Sequence, residues 1–228
     1  MQLVTTPRVA LLRRLRAEIT HNYPAGRVAI AVDGVPGSGT TEFADGLAAV
    51  FAEAGTATAR ASIDDFHRPR AERHQGEADQ AREYYERSFD YRTLRRVLID
   101  PFRMAGSAGF QTDAFDVRRD APTVSSWRTG PADLVLVIDG VFLNRPELSG
   151  TWNYSVYLDV PLAQAYARLA ETAGRDADPG AASNSRYVGA FQRYESEVQP
   201  SLKASAVIDN REPEHPRRVF PDVGCACG

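Results

Sequence analysis

Residues 34–41 read "GVPGSGTT", three glycines and three hydroxyl side chains within eight residues. The spacing is G-x-x-x-x-G-x-T. Glycines allow successive main-chain N–H groups to converge on one point, a concave site suited to phosphate oxygens. A hydroxyl in the place of Thr41 is a ligand for Mg²⁺. Loops of this spacing carry lysine just before that hydroxyl, where this chain has Thr40. Losing a preorganised positive group costs about 3–4 kcal/mol of transition-state stabilisation. The spacing therefore predicts phosphate binding by Gly34, Pro36, Gly37, Ser38, Gly39, Thr40 and Thr41, with turnover threatened more than binding.

Two acidic positions match this chemistry. Asp64 follows the run "ATARASI" and Asp139 ends "LVLVI". A carboxylate at the carboxyl end of a strand beside a phosphate loop can accept a proton from an attacking hydroxyl or hold Mg²⁺. Asp64 is expected to act as base or metal ligand, and Asp139 with Thr41 to organise the metal. Asp65 is expected on the opposite side of the strand from Asp64, since neighbouring strand side chains alternate.

These groups need elements to place them. Short apolar runs read as buried strands at 27–34, 56–64, 133–140, 154–160 and 205–210. Helical spacing separates most of them, in "TEFADGLAAVFAEAG", "AREYYERSF", "YRTLRRVLIDPF", "PLAQAYARLAETAG" and "SRYVGAFQRYESEV", and also marks the opening "PRVALLRRLRAEI". Strand–helix alternation predicts a three-layer αβα fold around a five-stranded parallel sheet. The polar stretch at about 108–130 is expected to form a hairpin or flap over the site. A single domain is expected over 1–211, followed by an irregular tail over 212–228 containing Pro213, Pro216 and Pro221.

With 228 residues and a formal net charge of −3, the chain is large enough for one sizeable core and lacks the basic excess of a nucleic-acid or anionic-membrane binder. Its two cysteines, Cys225 and Cys227, suggest neither a disulfide framework nor a metal cage. The N-terminus lacks the pattern of a secretory signal, and no apolar run approaches membrane-spanning length. A cytoplasmic protein is expected, with association into a homo-oligomer left open.

Beyond the loop, "SIDDFHRPR" (62–70), "YYERSFDYRTLRRVL" (84–98), "LVLVIDGVFLNRPEL" (134–148), "RLAETAGRD" (168–176) and "AVIDN" (206–210) occur in one order over about 27–210. The chain in this respect resembles the uridine kinase family of P-loop kinases. That resemblance implies ATP or GTP as donor, Mg²⁺ as cofactor and a small-molecule hydroxyl as acceptor. It also implies an acceptor pocket drawn from Asp65, Phe66, His67, Tyr84, Tyr85 and Asp90, with His67 where relatives often carry tyrosine. A lid over about 168–187 would bring Arg168, Arg175 and Arg186 to the phosphates, one of the first two standing in for the missing lysine. Thr40 keeps two alternatives in view: a kinase acting on a nucleoside antibiotic or other specialised metabolite, and a nucleotide-binding protein without turnover.

Overall fold

In the computed structural model, which describes residues 2–76, 78–106 and 108–220, every apolar run named above enters one sheet. In chain order the elements are α1 (Pro7–Asn22), β1 (Val28–Gly34), α2 (Thr40–Glu53), β2 (Thr58–Ser62), α3 (Arg70–Arg73), α4 (Gln80–Arg87), α5 (Tyr91–Leu94) and α6 (Asp100–Met104). There follow β3 (Phe115–Asp116), β4 (Ala121–Pro122), β5 (Val135–Gly140), β6 (Tyr154–Asp159), α7 (Leu162–Ala173), α8 (Ser185–Val198), α9 (Pro200–Lys203), β7 (Ala206–Asp209) and β8 (Arg217–Val219). Cys225 and Cys227 lie outside the described residues.

The main sheet runs β2-β5-β1-β6-β7-β8. The first five strands are parallel, as alternation with helices requires, and β8 pairs antiparallel with β7. That sixth strand comes from the segment expected to be irregular. Strand β1 lies between β5 and β6 and is buried along its whole length.

Alternation along β1 sorts its side chains into two cores. Val28, Ile30 and Val32 join α1 and α2 through Leu12, Leu15, Phe43 and Leu47. Ala29 and Ala31 face the other layer, built from Phe66, Leu94, Phe142, Phe191 and Tyr194. Helices thus cover both faces, and the carboxyl ends of the parallel strands form the open edge where ligands collect in such sheets.

The second strand ends earlier than the apolar run suggests. After Ser62 the chain turns into a single 3₁₀ turn, Ile63–Phe66, with the Ser62 hydroxyl accepting from Asp64 N at 3.3 Å. Asp64 and Asp65 therefore sit on a tight turn, and strand alternation does not govern where their carboxyls point. The stretch at 108–130 does contain a hairpin, β3–β4, anchored to this turn by a bond from Ala114 N to the Asp65 carbonyl at 3.0 Å.

Candidate active site

The glycine loop joins β1 to α2 and is held by contacts that leave no room for side chains. Gly37 and Gly39 have φ of +85° and +88°, a region that glycine enters without steric cost. A Cβ on Gly37 would stand 2.3 Å from the Ala165 carbonyl oxygen, and one on Gly34 would stand 2.5 Å from Ser38 Oγ. Gly39 is the residue before α2, so the N-terminal amides of a 14-residue helix open onto the loop. Asn210, at the end of β7, donates from Nδ2 to the Ser38 carbonyl at 2.7 Å and fixes the loop from across the sheet. A cavity of about 460 Å³ lies against the loop, with Gly37, Gly39, Thr40, Thr41, Arg168 and Asn210 in its wall. This is room for a nucleotide-sized ligand.

Beside the loop, Thr41 Oγ1 donates to Asp139 Oδ2 at 2.7 Å. Asp139 is buried and its other oxygen accepts from Arg60 Nη2 at 2.7 Å. Hydroxyl and carboxylate oxygens are the donors Mg²⁺ takes, and it usually shares one or two of them with phosphates and water. Among the described residues no group of three or more His, Cys, Asp or Glu could hold a metal unaided. The donor set therefore fits an ion carried partly by a nucleotide.

Asp64 lies at the open end of β2, and its carboxyl is held above its ordinary range. Although the residue as a whole is exposed, partial loss of water around the carboxyl is the main cause; His67 works in the opposite direction, and the negative Asp139 adds to the rise. Asp65 is pushed up to about 6 by burial and by the charges of Asp113, Asp64 and Asp139. Asp113 belongs to the hairpin segment, which thus closes one side of this acidic corner. His67 bonds through Nδ1 to the Asp64 carbonyl at 2.8 Å and packs on Phe89 with ring centroids 4.6 Å apart. Burial lowers its pKa.

Tyr84 reaches this corner and Tyr85 does not. Adjacent residues on a helix point about 100° apart, so the two rings of α4 meet different surroundings: Tyr84 is half-buried between Phe142 and Tyr187, and Tyr85 lies deeper in the core. Tyr85 is 4% exposed and packs on Phe142, with the Arg145 guanidinium 4.0 Å from its ring centre. Phe66 is wholly enclosed in the same core. Asp90 caps α5, accepting from Thr93 N at 2.9 Å and from Thr93 Oγ1 at 2.7 Å. Of the residues expected in the acceptor pocket, Tyr85 and Phe66 pack in the core and Asp90 caps a helix.

The arginines divide into two places. Arg168 donates to the carbonyls of Asn210 and Arg211 at 3.0 and 2.8 Å and lies 3.5 Å from that of Gly37. It therefore stands at the loop, tied to main-chain oxygens. Arg175 lies 4.1 Å from the Tyr187 ring centre, and Arg186 lies 5.1 Å from that of Tyr84. Tyr84 and Tyr187 meet edge-on at 4.9 Å, so two cations and two rings form one cluster. The Tyr84 hydroxyl feels both Asp64 and this cluster: burial raises its pKa first, Asp64 raises it further, and Arg175 and Arg186 oppose the rise.

Several residues here are not singled out by the sequence: Arg60, Tyr187, Asp113, the group around Asp33, and Asn210, which lies within "AVIDN" but is not marked there as a loop contact. Asp33 precedes Gly34 and is fully buried. Its Oδ2 accepts from the Tyr194 hydroxyl and from Asn144 Nδ2 at 2.7 Å, while Oδ1 has no partner. The phosphate loop is thereby tied to the segment after β5 and to α8. Burial pushes the Asp33 carboxyl from 3.8 up to about 6, against the bonds from Tyr194 and Asn144. A carboxyl raised on folding binds its proton more tightly in the native state, so this group's contribution to stability is present below about pH 4 and is lost as pH rises through about 6. At about 1.4 kcal/mol per tenfold, wild type should lose roughly 2 kcal/mol against Asp33→Asn between pH 4 and pH 7. Urea unfolding of both proteins across that window measures the difference; parallel pH curves would contradict the buried acid.

No family model matches the sequence, and no curated protein matches it. Solved structures do. A possible uridine kinase from Bacillus stearothermophilus aligns with a TM-score of 0.68 and 25% identity, covering 88% of this chain and 96% of that one. A protein assigned as a fructose transport system kinase, from a Silicibacter species, aligns at 0.61 and 23%, covering 85% and 95%. D-glycerate 3-kinase from Cryptococcus neoformans aligns at 0.58 and 12%, covering 92% and 99%. The chain has the mixed α/β fold of these P-loop kinases, with a mostly parallel central sheet. Among the described residues no helix is long and apolar enough to cross a membrane.

Proposed function

We propose that this chain is a Mg²⁺-dependent phosphotransferase that moves the γ-phosphate of ATP or GTP to a hydroxyl group. The acceptor we favour is the 5′-hydroxyl of a pyrimidine nucleoside or nucleoside-like molecule, and the enzyme would act in the cytoplasm. One juxtaposition supports the reading: Asp64 follows β2 at the open edge of the sheet, on the side where the Thr41–Asp139 pair lies, and the Asp139 charge acts on its carboxyl. The fold shared with solved kinases supports the same chemistry.

In this reading the amides of residues 34–41 bind the donor's phosphates and the amino end of α2 adds its partial positive charge. Thr41 and Asp139 hold the metal, which when bound offsets the charge on the transferred group. Asp64 accepts the acceptor's proton, and its raised affinity for protons suits a base. Asp65 and His67 shape the acceptor side, while Tyr84 and Tyr187 offer ring faces for a base or other flat group. Arg175 and Arg186, stacked on those rings, are placed to meet phosphate as the segment after α7 closes. Arg168 holds the loop from the cavity side.

The site also suits another acceptor. His67 packs at a tilt on Phe89 and is bonded to the Asp64 carbonyl, which supports a held imidazole on the acceptor side. That placement favours a specialised nucleoside-like compound as the second reading. Labelled-phosphate transfer from ATP and GTP to a panel of nucleosides and nucleoside antibiotics tests both. Label on uridine or cytidine supports the first, and label on the antibiotics alone supports the second. Binding of nucleotide without transfer to any acceptor would contradict the enzyme reading.

A further inference from the structure

We infer that Arg60 is a built-in rival of the divalent cation for Asp139, with Asp45 as the place its guanidinium keeps when the cation binds. The inference rests on the proposed function only in taking Asp139 as a holder of the metal. Arg60 lies between Ala59 and Ala61 on β2 and reaches along the α2 face of the sheet. Its Nε donates to Asp45 Oδ1 on α2 at 2.8 Å, its Nη2 to Asp139 Oδ1 at 2.7 Å, and its Nη1 to the Val137 carbonyl at 2.6 Å. The fork therefore spans two carboxylates of very different setting. The Asp45 side chain is 64% exposed and that of Asp139 only 3%.

Both Asp139 oxygens are thus engaged, one by Thr41 and one by Arg60. The bond from Thr41 is compatible with a metal, because its hydroxyl oxygen keeps a lone pair free while its proton points at the acid. The bond from Arg60 is different. It puts a full positive charge on the carboxylate that the cation needs, in a place where burial strengthens repulsion between like charges. A cation arriving alone meets an acid already neutralised. A cation arriving on a triphosphate has most of its ligands already supplied by phosphate oxygens and water, and needs only one oxygen of Asp139 to replace the guanidinium.

Displacement does not strand a buried charge, which is what makes breaking most buried pairs costly. Arg60 is partly exposed and retains Asp45 and the Val137 carbonyl. The expected order is therefore metal with nucleotide, never metal first. In a site without the loop lysine, Arg60 is also the cation in direct contact with the proposed metal-holding acid. It acts through Asp139 and is a positioning residue.

Mn²⁺ in place of Mg²⁺ gives a readout independent of turnover. The free ion is followed by electron paramagnetic resonance during titration into wild type, Arg60→Gln and Asp45→Asn, each saturated with a non-hydrolysable ATP analogue. Arg60→Gln should bind Mn²⁺ about tenfold tighter. Asp45→Asn, a change at an exposed position of α2, should bind it severalfold weaker because Arg60 has lost its second partner. Unchanged or weaker affinity in Arg60→Gln, or an unchanged Asp45→Asn, would overturn the inference. Absence of Mn²⁺–nucleotide binding in all three proteins would instead remove the kinase reading, and the inference with it.

Discussion

Asp64→Asn should reduce phosphate transfer about a thousandfold while leaving nucleotide affinity nearly unchanged. General-base catalysis by a positioned carboxylate contributes about 10²–10⁴ in rate, and asparagine keeps the shape of Asp64 without its basicity. The main-chain carbonyl of Asp64, which His67 uses, is untouched by the change. Comparing kcat for transfer with a calorimetric Kd for the nucleotide separates the two effects. Asp65→Asn serves as the control. Asp65 faces the hairpin's Asp113 and is expected to cost far less. Full turnover in Asp64→Asn, or equal losses in both variants, would move the base elsewhere.

Thr40→Lys should raise turnover by roughly a few hundredfold, the counterpart of the about 3–4 kcal/mol that a preorganised charge supplies to a developing anion. Thr40 is the first residue of α2 and lies in the wall of the cavity against the loop, so a longer side chain has space. The arginines expected to replace the lysine are engaged: Arg168 on carbonyl oxygens and Arg175 on Tyr187. Neither stands free over the loop, and the gain from lysine is therefore expected to be large. Steady-state kcat with the acceptor found in the transfer screen is the measure. A variant no faster than wild type would show that a closing arginine already supplies the charge. Arg168→Ala and Arg175→Ala would then identify which one.

The parallel strands β1, β5, β6 and β7 were legible because they are nearly continuous apolar runs, the signature that parallel strands covered on both faces leave. The loop was legible for a related reason: Gly37 and Gly39 occupy backbone and space that other residues cannot. What escaped were contacts made between distant segments. Arg60 sits in the middle of a strand of small residues, and only the register of β2 on β5 places it beside Asp139. Asn210 closes "AVIDN", and its reach to Ser38 depends on β7 standing two strands from β1. A polar residue at the carboxyl end of a parallel strand was the available signal. Tyr84 and Tyr85 show the other limit. Both are aromatic in one motif, and the rotation of α4 alone decides that Tyr85 is core. The strand over 58–62 stopped short because the Ser62 hydroxyl caps a turn, a local competition that apolar periodicity does not report.

The central claim is that the amides of residues 34–41 form a triphosphate cradle beside Asp64 and Asp139. Amide chemical shifts measured while a non-hydrolysable ATP analogue and Mg²⁺ are added test it most directly. The account predicts saturable shifts concentrated at Gly34–Thr41, with Asn210 and Arg168 responding and Asp139 moving only when the metal is present. Shifts confined to another region, or none at the loop at saturating nucleotide, would contradict it.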